Sequence, residues 1–134
     1  MKRVLVDSNV LLDVLTEDPD WFGWSASQLQ NCAEQGRPCI NAIVYAEVSV
    51  GFERIEELDE VLAPADFERL ILPWEAAFLA GKAFLRYRHA KGVRRSPLPD
   101  FFIGAHAAIE RLPLLTRDAQ RYRTYFPSLD LICP

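Results

Sequence analysis

Residues 2–15, KRVLVDSNVLLDVL, contain two apolar runs separated by the polar triplet of residues 7–9. The first run, residues 4–6, is short, rich in valine and bounded by polar residues, which predicts a buried β-strand. The second run is too dense for alternation and predicts the start of a helix. Asp7 would then lie at the carboxyl end of a strand, where open α/β sheets bind ligands. The alternative is that one of residues 7–9 simply caps the helix.

The composition predicts one globular domain. The chain has 134 residues, half of them hydrophobic, which suits a single domain over residues 1–134 with a real core. No apolar stretch is long enough to span a bilayer, and Asp7 interrupts the first apolar run, so we expect no secretory signal and a cytoplasmic protein. Three cysteines without Cys-x-x-Cys spacing indicate reduced structural thiols rather than a zinc site.

Short apolar runs alternate with helical segments along the chain. Strands are predicted at residues 38–42, 67–73, 114–116 and 130–134. Helices are predicted at residues 25–36, 42–52, 55–63, 74–91 and 100–112, with a turn-rich insert at 18–25 and a loop at 94–99. Strands separated by helices imply a parallel sheet covered on both faces. The predicted fold class is therefore α/β, with a mainly parallel sheet of about five short strands.

The basic residues are concentrated in one part of the chain. A net charge of −4 argues, taken alone, against a nucleic-acid partner. Residues 76–99, however, contain no acidic residue and six basic ones. On the predicted helix, Lys82, Arg86 and His89 would share a face that gathers phosphates, although an ordinary solvated face is the alternative. The opposite face would be apolar, formed by Phe78, Gly81 and Leu85.

Three further acidic residues occupy positions similar to that of Asp7. Glu47 falls on the apolar stripe of its predicted helix, where a charge is costly unless it is paired or faces a cavity. Asp100 precedes an apolar helix, and Asp118 follows a short strand. Each has an ordinary alternative: Glu47 lies at the edge of the stripe and reaches water, Asp100 is an N-cap, and Asp118 is a cap or an ion-pair partner of Arg117 or Arg121.

Together the four acids predict a metal site. Clustered carboxylates raise one another's pKa, and a hard divalent cation relieves their repulsion. Oxygen ligands favour Mg²⁺ or Mn²⁺, and His106, in an alanine-rich helix, is better explained by packing. Such a cluster is typical of phosphodiester hydrolysis, in which the metal activates a water and stabilises the leaving oxygen. The polar residues expected to orient the carboxylates or the bound waters are Ser8, Asn9 and Thr116.

With these residues assembled, the sequence resembles the PIN-domain ribonucleases, specifically the VapC toxins of VapBC toxin–antitoxin pairs. The resemblance covers nearly the whole chain. It is carried by VDSNVLLDVL with Asp7, AIVYAEVSVGF with Glu47, LPDFFIGAHA with Asp100, LLTRD with Asp118, and the ending YFPSLDLICP. The hydroxyl residue after the first acid, often Thr in the family, is Ser8 here, and Asp118 corresponds to the least uniform acid.

The resemblance implies a compact three-layer α/β/α sandwich, a homodimer, and Mg²⁺-dependent endonucleolytic cleavage of cellular RNA, with Mn²⁺ as a substitute. The cleaved RNA would be tRNA or rRNA, and translation would stop. The catalytic metal ligands would be Asp7, Glu47, Asp100 and Asp118. The candidate RNA-binding residues are Lys82, Arg86, Arg94 and Arg95. A small VapB-like antitoxin would block the site, and a groove for its peptide is predicted at Trp21, Phe22 and Trp24, for which core packing is the alternative.

Two other functions are compatible with parts of this pattern. A phosphatase or phosphotransferase would use Asp7 as a nucleophile, but such enzymes of the haloacid-dehalogenase type have a second Asp two residues later, where this chain has Asn9. A non-catalytic RNA-binding domain that retains only the PIN fold would be expected to lack one or more of the acids. All four acids are present.

Overall fold

The computed structural model of the protein describes residues 2–91 and 98–134. The strands are β1 (Lys2–Val6), β2 (Gly36–Asn41), β3 (Glu68–Leu70), β4 (Leu114–Leu115) and β5 (Leu131–Ile132). The α-helices of the described residues are α1 (Ser8–Leu15), α2 (Phe22–Gln35), α3 (Ala42–Ser49), α4 (Ile55–Leu62), α5 (Trp74–Lys91), α6 (Leu98–Glu110) and α7 (Gln120–Tyr125). None of these helices is long and apolar enough to cross a membrane.

The five strands form one parallel sheet in the order β3-β2-β1-β4-β5. β1 lies at its centre, and Leu5 and Val6 are completely buried because helices cover both faces. The predicted α/β class, the parallel sheet of five short strands and the α/β/α sandwich are thus confirmed. Since all strands run the same way, the residues that follow β1, β2 and β4 meet at one edge.

The helix and strand limits differ from the sequence prediction in several places. Residues 22–24 of the predicted turn-rich insert belong to α2, and the strand predicted over 67–73 is only three residues long. α6 begins at Leu98, so Asp100 lies in its first turn and is not its N-cap. Of the predicted loop at 94–99, residues 98–99 are helical, and the rest lies outside the described residues. α7 is an additional helix that the sequence analysis missed.

The predicted division of α5 into an apolar and a basic face is wrong. Phe78 is 70% exposed and Leu85 47% exposed. The buried side consists instead of small residues and one aromatic residue, namely Ala76, Ala80, Ala83 and Tyr87, because alanines allow close packing against α6. Lys82 lies beside Phe78 rather than opposite it, with its Nζ 5.0 Å from the ring centre, since residues four apart share a helix face.

Gly104 sets how closely α6 can approach the end of α7. A Cβ atom at this position would lie 2.7 Å from two ring carbons of Phe126 and 3.0 Å from the ring of Tyr122. Both rings are almost completely buried. They therefore have no solvent-filled space into which they can move.

We expect Gly104→Ala to lower the free energy of unfolding by about 1–3 kcal/mol, because the added methyl group overpacks this contact. Urea denaturation measures the change. The matched control is Gly81→Ala, on the exposed side of α5 with no atom within 4 Å of the new Cβ. This control should raise stability by about 0.5–1 kcal/mol through helix propensity. Equal effects of the two substitutions would contradict the packing role.

Candidate metal centre

Three of the four predicted acids converge at the carboxyl edge of the sheet. Asp7 follows β1, Glu47 lies on α3 directly after β2, and Asp100 lies in the first turn of α6. One oxygen from each carboxylate lies within 4.8 Å of the other two. Asp7 is 3% exposed, and the other two side chains are half-buried. The fold therefore brings together acids that are up to 93 positions apart in the sequence.

Asp118 lies outside this group of three. Its side chain is exposed, three residues beyond β4, and none of its oxygens belongs to the set within 4.8 Å. It is still close enough for its charge to raise the pKa of Asp100. Its backbone N–H donates a hydrogen bond to Thr116 Oγ1 at 3.1 Å, which fixes this part of the loop. Asp118 thus lies at the rim of the acidic site.

The carboxylate of Asp7 is held by several hydrogen-bond donors. Oδ1 accepts the backbone N–H of Ser8 at 2.7 Å, so Asp7 also acts as the N-cap of α1. Oδ2 accepts the hydroxyls of Thr116 and Tyr122, each at 2.9 Å, and the amide of Asn9 at 3.4 Å. Asp7 therefore has both roles that the sequence suggested: it caps α1 and it belongs to the acidic cluster. The donors fix the side chain in one orientation.

Glu47 is oriented by the neighbouring helix. Ser8 Oγ donates a hydrogen bond to Glu47 Oε1 at 2.7 Å, which joins the start of α1 to α3. Asn41, the N-cap of α3, accepts the N–H of Val44 and also contacts His106 Nδ1 at 2.9 Å. Because an amide nitrogen can only donate, His106 Nδ1 is the acceptor there. His106 is completely buried, and this contact joins α6 to the start of α3.

The pKa of each clustered acid lies above its ordinary value. Burial, followed by the charge of Asp100, raises the pKa of Asp7 to about 6, despite the three hydrogen bonds that lower it. Burial and the charge of Asp100 also raise the pKa of Glu47. For Asp100, burial raises the pKa more than the adjacent Arg121 lowers it. The site therefore disfavours three unpaired negative charges.

These properties suit a hard divalent cation. The group contains carboxylate oxygens alone, without histidine or cysteine, and such ligands favour Mg²⁺ or Mn²⁺ over zinc. Burial, followed by the charge of a neighbouring carboxylate, raises the three pKa values, and a bound cation would favour the ionised forms. The residues best placed to hold it are Asp7, Glu47 and Asp100.

The sequence analysis missed two neighbours of the acids, both on α7. Tyr122 is 2% exposed, and its hydroxyl donates a hydrogen bond to Asp7 Oδ2 at 2.9 Å. Arg121 Nη1 donates to Asp100 Oδ2 at 2.6 Å, although the sequence suggested Arg121 only as a partner of Asp118. The local signal is the four-residue spacing of Tyr122 and Phe126, but a single pair is too short to establish a helical period.

A partly buried ion pair supports the loop beside the site. Asp13 is 2% exposed and accepts two hydrogen bonds from Arg117, at 2.7 and 2.9 Å, and one from Ser25 at 2.7 Å. The guanidinium also lies 5.5 Å from the ring centre of Trp21. The backbone N–H of Arg117 donates to Asn9 at 3.3 Å. α1, α2 and the loop carrying Thr116 are thereby joined.

The remaining predicted residues lie around these contacts. Arg86 Nη2 donates to the carbonyl of Tyr125 at 3.2 Å, at the end of α7. Trp24 packs against the core, while Phe22 is 41% exposed. Trp21 and Trp24 contact edge to face, with ring centres 6.2 Å apart. Arg94 and Arg95 lie outside the described residues.

We expect Asp7→Asn to stabilise the metal-free protein at pH 7.5 by about 2 kcal/mol. The pKa of Asp7 is raised from 3.8 to about 6 in the folded state, so its contribution to stability is complete below pH 4 and is lost as the pH rises through 6. The advantage of Asp7→Asn should therefore be much smaller at pH 4.5 and disappear below about pH 4. Urea denaturation in EDTA at both pH values measures this, and a variant less stable than wild type at pH 7.5 would refute it.

We expect Arg117→Ala to lower the free energy of unfolding by about 2–4 kcal/mol, because it leaves the buried carboxylate of Asp13 without its cation. Chemical denaturation measures the loss. Adding Asp13→Asn to this variant removes the unpaired charge and should recover at least about half of the stability. If the double variant is as unstable as Arg117→Ala, lost packing rather than the buried charge is the cause.

Comparisons with known proteins agree with this architecture. The chain is similar in structure to VapBC2 from Rickettsia felis bound to a DNA fragment from its promoter, with a TM-score of 0.72, 22% identity and 98% of each chain covered. It is similar to DNA-bound VapBC from Salmonella typhimurium, with a TM-score of 0.71, 19% identity and coverage of 99% of this chain and 98% of the other. FitAcB from Neisseria gonorrhoeae gives a TM-score of 0.68, 21% identity and 96% coverage of each chain.

At the level of sequence, no curated protein matches the chain significantly. The model of the PIN domain family, however, matches residues 4–127. This span contains the three clustered acids, Asp118 and the side chains that hold them. Because the match covers most of the chain, the protein belongs to the PIN domain family.

Proposed function

We propose that this PIN domain is a VapC-type toxin, a divalent-metal-dependent endoribonuclease that cleaves cellular RNA, tRNA or rRNA, in the cytoplasm and so inhibits translation. The observation that carries the proposal is the convergence of the carboxylates of Asp7, Glu47 and Asp100 within 4.8 Å at the sheet edge. The similar VapBC structures from Rickettsia felis and Salmonella typhimurium support the assignment to this class of toxins.

In this proposal, Asp7, Glu47 and Asp100 hold Mg²⁺, or Mn²⁺ as a substitute, and Asp118 completes the acidic rim. The cation supplies Lewis acidity at the scissile phosphate and lowers the pKa of the attacking water. The contribution of the protein is preorganisation. Ser8, Asn9, Thr116 and Tyr122 keep the carboxylates in position, so little reorganisation is needed when charge develops on the phosphate.

In this proposal, the RNA approaches along the basic residues of α5. Lys82 and Arg86 lie on α5 with exposed side chains, and Arg86 contacts the end of α7, which lies beside the site. Arg94 and Arg95 follow α5 in the sequence and remain candidates on that basis. Positive charge here attracts phosphates although the whole chain is negative.

The proposal includes two protein partners. Because the chain is similar in structure to VapBC2 from Rickettsia felis and VapBC from Salmonella typhimurium, we propose a VapB-like antitoxin as its partner. Phe22, 41% exposed beside the Trp21–Trp24 pair, offers an aromatic anchor for its peptide. We also propose that the protein is a homodimer, for which the exposed apolar side chains of α5, Trp74 and Phe78, are suitable contacts.

The competing functions are less well supported. An aspartyl-phosphate enzyme of the haloacid-dehalogenase type would have a second Asp two residues after Asp7, and this chain has Asn9 there. A purely RNA-binding domain does not need three costly carboxylates in one place. The acidic cluster therefore favours the nuclease.

The test is incubation of purified, partner-free protein with total cellular RNA, with and without Mn²⁺, followed by mapping of new 5′ ends. We expect discrete cleavage sites that require the metal. Asp7→Asn should reduce the rate by at least about 100-fold, while its folding, measured by denaturation, is retained or improved. The matched control is Asp130→Asn, an exposed acid paired with Lys2. Cleavage in EDTA, or by Asp7→Asn at the wild-type rate, would refute the proposal.

A further inference from the structure

The acidic site already contains a cation that belongs to the protein. Arg121 Nη1 lies 2.6 Å from Asp100 Oδ2, and both side chains are about one-third exposed, at 33% and 32%. The pair thus lies at the surface of the site, in contact with water. Arg121 comes from α7, three residues after Asp118 at the rim.

Arg121 and a divalent cation would compete for Asp100. Asp100 is one of the three acids whose oxygens could hold a cation, and its Oδ2 accepts a charge-assisted hydrogen bond from Arg121. Two positive charges close to one carboxylate repel each other. Arg121 is long, flexible and partly exposed, so it can turn away from Asp100 without disturbing the core.

The surroundings of Arg121 lead towards the basic face of α5. Its guanidinium lies 6.0 Å from the ring centre of Tyr87, and the ring of Tyr125 is 6.0 Å from that of Tyr87. Arg86 lies 5.6 Å from the ring centre of Tyr125. Two guanidinium groups therefore contact adjacent rings of one aromatic pair. The guanidinium of Arg121 is therefore a positive charge that lies between Arg86 of α5 and the acid Asp100.

We propose that Arg121 pairs with Asp100 in the free protein and binds a phosphate of the RNA when a divalent cation occupies the acids. The phosphate-binding role rests on the proposed nuclease function, whereas the competition for Asp100 does not. The planar guanidinium fork matches phosphate oxygens as well as it matches a carboxylate. Arg121 thereby keeps the empty site neutralised and contributes to substrate binding in the loaded one.

If Arg121 has this role, replacing it should change metal binding and RNA binding in opposite directions. Arg121→Gln removes the competing charge, so Mn²⁺ should bind about threefold to tenfold more tightly. The same variant should bind RNA about threefold to tenfold more weakly, and the salt dependence of RNA binding should decrease by about 0.7 in slope, the value for one phosphate on a single strand. A merely structural ion pair would weaken both kinds of binding.

The experiment measures Mn²⁺ binding to the metal-free protein by electron paramagnetic resonance, and binding of a labelled 12-nucleotide RNA in the presence of Ca²⁺. Arg121→Lys retains the charge without the fork and should leave Mn²⁺ affinity within about twofold of wild type. The matched control is Arg123→Gln on the same helix, where the guanidinium contacts Cys133 Sγ at 3.3 Å. It should change neither measurement.

The possible outcomes separate this proposal from the nuclease proposal. Unchanged or weaker Mn²⁺ binding by Arg121→Gln overturns the competition. Unchanged RNA binding by the same variant overturns the phosphate role, even if the wild-type protein cleaves RNA. If the wild-type protein does not cleave RNA, the nuclease proposal fails, but tighter Mn²⁺ binding by Arg121→Gln still supports the competition for Asp100.

Discussion

The constraint on which the rest of this structure depends is that the carboxylates of Asp7, Glu47 and Asp100 are held close together and partly shielded from water. Three carboxylates within 4.8 Å are unfavourable in a protein interior unless donors or a cation compensate for them. Asp7 shows the balance most clearly, because its pKa is raised to about 6 even though its carboxylate accepts hydrogen bonds from several donors. The protein therefore retains an arrangement that costs stability, which is typical of sites that bind metals.

The short helix α7 connects the packing of the core to this site. Gly104 leaves room for the rings of Tyr122 and Phe126, and this close approach lets the hydroxyl of Tyr122 reach Asp7. The preceding residue, Arg121, contacts Asp100. Two consecutive residues of one helix thus act on two different carboxylates. The neutral hydroxyl of Tyr122 donates to Asp7, and the charged guanidinium of Arg121 pairs with Asp100. A change in the packing of α7 would alter both.

Much of the fold and part of the site were predictable from local sequence. The alternation of apolar runs and helical segments identified the parallel sheet, and the polar residues that follow its strands identified the acids. α5 was misjudged because periodicity alone cannot distinguish a packed apolar face from an exposed one. Its buried side is formed by alanines, while the larger Phe78 is 70% exposed. α7 was missed because six residues are too few for a periodic pattern.

The sequence by itself determined the order of strands and helices apart from α7, and the placement of Asp7 directly after a buried strand, because these follow from residue type and spacing over a few positions. Only the tertiary structure decided which acids share a site. Asp118, adjacent to a predicted strand like Asp7, remains exposed at the rim, whereas Arg117 pairs with Asp13 and Arg121 with Asp100. These contacts join residues distant in the chain, and their geometry depends on how the helices pack on the sheet.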